Sequence, residues 1–318
     1  IQKLIKSVGP HLWLRIYYAK TLAIVLCSPH HKDAKKLKLL KSVMNTKVIS
    51  IIGGHGQMGT LFRQLWQNQG YVVHAIGRKD LESCDKILAQ SAAVIICVPI
   101  KDTTAMIAKL APRLNKSTIL ADFTSLKVEP LMTMLAEYSG PVLGLHPMFG
   151  PTIHAPHNQI IVHCQGRNPD ACQWLIDSLK QLGFTLKSMS AAKHDQAMNF
   201  IQGIEHFVTF SLGTFLYHKQ EHPQELLEIA SPIYLAKLLL MGRIFDQDPA
   251  LYADIIMADT KRIQLIKEFS LWLNQWVTQL EQCNKAEFIA EFKQASAWMG
   301  DFTAYAQRVS DDFLTIDL

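Results

Sequence analysis

The sequence predicts an α/β fold with a parallel sheet wrapped by helices, followed by an all-helical region. Three observations carry this. A β-branched run, Lys47–Ile52, leads directly into Gly53-Gly54-His55-Gly56-Gln57-Met58-Gly59 and then into a helical pattern. Short apolar strand-like runs recur between helical stretches as far as about residue 190. From His194 onward, helical periods continue without strand alternation.

Composition limits the classes to consider. At 318 residues the chain has room for roughly two domains. Its 49% hydrophobic and 19% charged content excludes a disordered or collagen-like protein. Six cysteines lie scattered with no C-x-x-C pair, which argues against a disulfide framework or zinc ribbon and fits a reducing, cytoplasmic setting. No apolar stretch reaches the ~18 residues of a membrane span.

The net charge of +5 is unevenly placed. Ten of the 32 basic residues and one of the 27 acidic ones lie in 1–47, so 48–318 hold 22 and 26, a balance of −4. The body is mildly acidic and offers no nucleic-acid surface. Residues 1–46 form a basic extension to which no role is assigned. Thr21–Cys27 faintly resembles a signal-peptide core but lacks a small-residue cleavage site, and Met44 stands just before the first strand.

Within 47–190 the elements follow in order. After the glycine loop, Leu61, Phe62, Leu65 and Trp66 are spaced for one buried helix face that closes near Gly70. Tyr71–Ile76 reads as the second strand. This context makes the loop a dinucleotide fingerprint of the Rossmann type: Gly54 for the tight turn, Gly56 for backbone approach to a pyrophosphate, Gly59 for close helix–strand packing. Gln57 and Met58 open the helix, whose free N–H groups attract the pyrophosphate. At the second strand's end stand Ile76-Gly77-Arg78-Lys79-Asp80. An acid is missing from the first two places and two cations follow, which favours NADP over NAD; Asp80 remains within reach of a ribose, so NAD stays open.

Ala93–Pro99 is apolar throughout, as a strand buried on both faces requires, and its exit at Val98-Pro99 lies where the nicotinamide end would pass. A helix over Thr104–Leu114 leads to the strand Thr118–Phe123. Further strands are read at Val142–Leu145, Ile160–Cys164 and Phe184–Ser188.

Residues 191–318 read as an all-helical domain with apolar faces wide enough for a homodimer. His194–His218 is one long helix on which Asp195, Asn199, Gln202 and His206 fall on one polar stripe. Such a stripe needs either a buried hydrogen-bond network or a cleft. In the apolar helix Ser231–Phe245, Arg243 is either paired with Asp246 or Asp248 or held for a substrate carboxylate. Asp248-Pro249 caps the next helix, with Tyr252 in its first turn. Helices over Thr260–Gln282 and Lys285–Val309 complete the chain.

The segment Gly144-Leu145-His146-Pro147-Met148-Phe149-Gly150-Pro151 puts a histidine at a strand's C-terminal end, where open α/β sheets bind ligands. Such a side chain can accept a substrate hydroxyl proton near neutral pH. His154, His157 and His163 follow, but no carboxylate or cysteine completes a metal-ligand set.

The glycine loop, Asp122-Phe123-Thr124-Ser125-Leu126-Lys127, LGLHPMFGP (143–151), His194-Asp195-Gln196, Ser231-Pro232-Ile233-Tyr234 and GRIFDQDPALYADIIM (242–257) together resemble prephenate dehydrogenases. The likeness is greatest to the dehydrogenase portion of bifunctional chorismate mutase/prephenate dehydrogenases and runs from about Lys47 to Val309. It implies a Rossmann-type domain plus a helical dimerisation domain with the active site between them, and NAD(P)-dependent oxidative decarboxylation of prephenate to 4-hydroxyphenylpyruvate in tyrosine biosynthesis. Residue by residue, it implies that His146 accepts from the substrate 4-hydroxyl, that Ser125 orients that histidine or the nicotinamide, and that Lys127 lies nearby. His206 and Arg243 would reach the carboxylates, with Tyr252 beside them.

The chain departs from that pattern in three places. Leu235 and Glu205 stand where relatives carry arginines, and Gly77-Arg78 replaces an acid. The mutase helix is not recognisable in 1–46, so no mutase activity is expected. Arogenate dehydrogenase, or a dinucleotide-binding protein that has lost catalysis, are the alternatives these departures leave; an unrelated β-hydroxyacid or imine reductase would lack the LGLHPMFGP loop.

Overall fold

The run Val48–Ile52 becomes β1, and its alternate residues face opposite ways, as a pleated strand requires. Ile49 and Ile51 enter one apolar core and Ile52 enters the other. Ala93 and Ile95 repeat the division against Val94 and Ile96 in β3 (Ser91–Ile96). A sheet buried on both faces follows. The computed structural model describes residues 47–314, so the expectations for 1–46 fall outside the described residues.

Seven strands lie in the order β2-β1-β3-β4-β5-β6-β7. Besides β1 and β3 these are β2 (Val72–Ile76), β4 (Ile119–Asp122), β5 (Val142–Pro147), β6 (Ile160–Gln165) and β7 (Thr185–Ser188). The first five are parallel, and β6 runs antiparallel to β5. Chain order reverses between β1 and β3, so that the C-terminal ends of the parallel strands open on a crevice there.

Helix α1 (Gln57–Asn68) covers one face, burying Phe62 and Trp66, and Trp66 Nε1 donates to Ser178 Oγ of the helix Pro169–Gln181 at 3.1 Å. On the other face lie Asp85–Leu88 (α2), Thr103–Leu110 (α3) and Val128–Glu137 (α4). The helix Pro169–Gln181 is α5. Helices α2, α4 and α5 add to the elements expected from the sequence.

From Ala191 the chain is helical: α6 (Ala191–Met198), a π-helical segment over Asn199–Ile204, α7 (Glu205–Lys219), α8 (Pro223–Leu227), α9 (Pro232–Phe245), α10 (Pro249–Ile256) and α11 (Thr260–Glu281). The single helix expected over His194–His218 is therefore interrupted by the wider π turn. The expected helix Lys285–Val309 is likewise two, α12 (Lys285–Met299) and α13 (Phe302–Leu314), because Gly300 adopts φ +54° and ends the first. From Lys47 onward the chain forms one compact unit.

One buried pair fixes the strand ends nearest the crevice. Asp122 closes β4, and its Oδ2 accepts from the Thr124 N–H at 2.9 Å and from the Lys127 ammonium. Lys127, with no exposed surface, also donates to the Leu145 carbonyl of β5 at 2.8 Å. Removing only one charge leaves the other buried and unpaired. Lys127→Met is expected to cost about 3–5 kcal/mol in urea unfolding, with Asp122→Leu in the same chain restoring part of that loss. Equal costs for the single and double variants would show that the pair is not the source.

Candidate active site

A cavity of about 620 Å³ opens at the C-terminal ends of all five parallel strands, within the usual range for small-molecule sites. Gly56, Gln57, Met58 and Gly59 line it after β1, Arg78 after β2, and Val98 and Pro99 after β3. Ser125 follows β4, and His146 comes from β5. The helical half supplies Gln202, His206, Tyr252, Asp254 and Ile255. Eleven of the fourteen residues expected from sequence thus meet at one cavity.

The other three lie elsewhere. Lys127 is sealed beneath the site by its contacts to Asp122 and Leu145, so its ammonium supports the floor and does not line the cavity. Arg243 is exposed outside the lining, with Nη2 donating to Thr152 Oγ1 at 3.3 Å rather than to Asp246 or Asp248. Its charge still reaches Tyr252, opposing the rise in that phenol's pKa caused mainly by burial. Gly54 does not take the tight-turn role. Gly53 does, at φ +79°, and a Cβ there would meet the Cys97 carbonyl oxygen at 2.1 Å. Gly54 instead lies against β2, where a Cβ would stand 2.7 Å from the Ala75 Cα.

The loop has the form of a phosphate cradle. A Cβ on Gly59 would come within 2.7 Å of both the Gly53 oxygen and the Gly54 Cα, so only glycine brings α1 this close. The N-cap Gly56 has no side chain to cap the helix, which leaves its first N–H groups for an anion. Gly77, where an acid would favour NAD, faces His55: a Cβ would lie 2.9 Å from the imidazole Cδ2. The Asp80 carboxylate turns back to accept from the Gly77 N–H at 3.0 Å and lies 3.8 Å from His55 Nε2. Arg78, next in the chain after Gly77, lines the cavity.

His146, near the end of β5, is 4% exposed. Its Nδ1 lies 2.8 Å from His194 Nε2, and its Nε2 lies 3.5 Å from the Gln202 amide nitrogen. Burial, with the charges of His194, Lys127 and Arg262, holds the His146 pKa well below the usual value. His206 is lowered chiefly by burial, with Glu205 opposing and Arg262 reinforcing. The Glu205 carboxylate itself accepts from Thr209 Oγ1 at 3.0 Å and does not line the cavity.

The expected polar stripe divides in two. Asp195 binds the N–H groups of Lys127 and Val128, and Asn199 accepts from Arg262 Nε at 3.3 Å, while Gln202 and His206 turn to the cavity. Arg262 escaped notice in the sequence because nothing local marks a cation as buried. It has no exposed surface, donates to the Ile255 carbonyl, and runs beneath Gly203, where a Cβ would meet its Cγ at 2.8 Å. Buried polar atoms without a protein partner, Gln202 Oε1, His206 Nδ1 and Arg262 Nη2, concentrate in this region. Among the described residues no group of three His, Cys, Asp or Glu is arranged to hold a metal ion.

Comparison with known proteins decides the family. Residues 67–160 match the family model described as the prephenate dehydrogenase nucleotide-binding domain, and residues 190–294 match the prephenate dehydrogenase dimerization domain. The chain is 43% identical over 253 residues to the T-protein of Enterobacter agglomerans, covering 80% of this chain and 68% of that protein. It belongs to the prephenate dehydrogenase family. A second T-protein, from Haemophilus influenzae, is 38% identical over 255 residues with the same coverage.

Solved structures share the fold. The Aquifex aeolicus prephenate dehydrogenase in complex with hydroxyphenyl propionate and NAD+ superposes with a TM-score of 0.63 at 16% identity, over 79% of this chain and 96% of that one. The Synechocystis arogenate dehydrogenase gives 0.59 at 19% identity, over 81% and 99%. This family member therefore carries a Rossmann-type nucleotide-binding half and a helical half. Among the described residues no helix is long and apolar enough to cross a membrane.

Burial of neutral histidines sets a pH dependence. His146, His163 and His206 all have pKa values lowered by burial, so below the unfolded value of about 6.5 the unfolded chain binds more protons than the native one. Stability is expected to be level above pH ~7 and to fall as pH drops through 6.5 towards the lowered native values. Urea midpoints measured from pH 8 to 5 check this; a midpoint that rises on acidification would contradict it.

Proposed function

We propose that this prephenate dehydrogenase family member oxidatively decarboxylates prephenate to 4-hydroxyphenylpyruvate, with His146 as the base. The observation that carries this is the single cavity that joins the glycine cradle to a buried, unprotonated His146. The nicotinamide supplies the hydride acceptor when bound. His146 Nε2 takes the proton of the substrate 4-hydroxyl as the C4 hydrogen leaves as hydride. Loss of CO₂ then sends its electron pair into the ring, and the phenolate oxygen so formed takes the proton back. Aromatisation is strongly downhill, so the chain's main tasks are alignment and holding one proton.

Ser125 stands on the strand-end loop before Lys127, lining the same cavity, and suits orientation of His146 or the nicotinamide. His206, with its ring centroid 5.1 Å from that of Tyr252, suits one carboxylate, and Arg243, outside the lining, suits the other once it turns from Thr152. The helical half exposes Phe292, Trp298, Phe302 and other large apolar side chains, which supports a homodimer through that half. The free thiols Cys84, Cys97, Cys164, Cys172 and Cys283 support a cytoplasmic setting.

Absorbance at 340 nm with prephenate or arogenate, each with NAD or NADP, tests the reading. Turnover with prephenate is expected, and His146→Asn should lower kcat by about 10²–10⁴ with little change in KM. A folded, dinucleotide-binding protein silent towards prephenate would overturn it, and turnover of arogenate alone would transfer the role to the aminated substrate.

The cofactor end supports NADP. Arg78 faces the cavity, Gly77 leaves no acid there, and Asp80 is occupied by the loop. Arg78→Ser is expected to raise the KM for NADP by about tenfold or more while leaving that for NAD within a factor of about two. Equal changes for both cofactors would remove the 2′-phosphate from the account.

A further inference from the structure

His194 has no exposed surface, yet both of its ring nitrogens are engaged. Nδ1 lies 2.7 Å from Asp195 Oδ1, and Nε2 lies 2.8 Å from His146 Nδ1, with the two rings edge to face at 73°. Asp195 Oδ1 and Oδ2 also accept from the N–H groups of Lys127 and Val128, each at 2.8 Å. An ionised carboxylate only accepts, so every proton assignment along the line follows from this end. His194 carries its proton on Nδ1 and donates it in a hydrogen bond to the Asp195 carboxylate. Its Nε2 then presents a lone pair, which the Nδ1–H of His146 fills. The remaining nitrogen of His146, Nε2, is left unprotonated towards Gln202 and the cavity.

We propose that His194 and Asp195 are positioning residues that fix the tautomer of His146, so that its Nε2 meets the substrate hydroxyl as an acceptor. The arrangement does what the carboxylate of a serine-protease triad does, with a second imidazole inserted between acid and base. It also answers a charge problem. Lys127 from below, Arg262 from α11 and His206 from α7 offer the His146 imidazolium no negative partner, whereas Asp195 is an anion linked to it through His194. Burial alone would raise the Asp195 carboxyl, but the bonds from His194, Val128 and Lys127 outweigh it and keep that group below its usual range, hence ionised. The O–H bond that breaks is the substrate's and the N–H bond that forms is at His146 Nε2; Asp195 stays a carboxylate throughout.

This inference deepens the proposed role of His146 and rests on it for its kinetic arm. Nitrogen-15 spectra of the histidine-labelled enzyme, with His146 assigned through His146→Asn, test it without substrate. Nδ1 of His146 is expected to be protonated and Nε2 bare at pH 7.5. A proton on Nε2 would overturn the relay even in an enzyme that turns over prephenate, and silence towards prephenate would leave the spectral result standing. In the kinetic arm, His194→Leu is expected to lower kcat by about 10²–10³ with the KM for prephenate and the dinucleotide affinity within about threefold. His194→Gln, whose amide oxygen can accept from the His146 Nδ1–H, should recover at least tenfold of that loss. A leucine variant with unchanged kcat, or a loss confined to KM and not relieved by glutamine, would reduce His194 to a packing residue. Should the leucine variant fail to fold, the spectra of the wild-type enzyme still decide.

Discussion

The buried pair of Asp122 and Lys127 is the constraint on which the site's geometry rests. Two unit charges without solvent are tolerable only when partners surround them, and here Asp122 Oδ2 and the Lys127 ammonium each have two, while Asp122 Oδ1 has none among the described residues. The carboxylate takes the Thr124 N–H as well as the ammonium, and the ammonium takes the Leu145 carbonyl. Those partners belong to the loop after β4 and to the end of β5, so satisfying the pair fixes the spacing of both. His146 follows Leu145 directly, and Ser125 follows Thr124. The backbone of Lys127 then receives Asp195 from the helical half. Within a few residues, one electrostatic requirement joins sheet, loop and helix.

The second organising element is the π-helical segment Asn199–Ile204. A wider turn shifts every later side chain around the axis relative to an α-helix, and such segments concentrate at functional sites. Here the shift separates the polar residues by task. Asp195 and Asn199, before or at its start, hold the backbone of Lys127 and Val128 and the guanidinium of Arg262. Gln202 and His206, within it or after it, face the cavity. Gly203 lets the Arg262 side chain pass beneath, where a Cβ would collide with it. The guanidinium thus fills space next to the wide turn, at the cost of a pKa lowered by burial.

Much of the fold and most of the cavity lining could be read from sequence because both depend on local pattern. The β-branched runs, the glycine spacing and the strand-end His146 lie within short windows, where periodicity and backbone freedom act directly. What could not be read depends on pairing across long separations. Lys127 reads locally as a free cation beside a site, and only the Leu145 carbonyl of the neighbouring strand, together with Asp122, makes it a buried strut. His194 reads as one more polar residue near a helix start, and its meaning comes from His146, 48 residues earlier. Gly53 and Gly54 are adjacent and identical in kind, so only the three-dimensional approach of Cys97 and Ala75 assigns the turn to one and the close packing to the other. The π segment has no periodic signature of its own: one extra residue in a turn looks like noise in a pattern of 3.6.

The charges around His146 follow from the same arrangement. Lys127 and Arg262 lie under the cavity, and neither guanidinium nor ammonium is exposed. Both disfavour an imidazolium, and burial acts in the same direction, so a histidine there stays neutral at physiological pH. A neutral imidazole is a competent base only if its free lone pair points at the substrate, and neutrality alone leaves two tautomers open. The fields that keep His146 unprotonated therefore do not settle which nitrogen is bare. That choice requires a directional contact on the far nitrogen, and the His194–Asp195 line supplies one whose polarity is set by a carboxylate at its end. A site that suppresses the charged form of its base by burial thus gains from a second residue that orients the neutral form, and the buried cations and the histidine line are complementary halves of one solution.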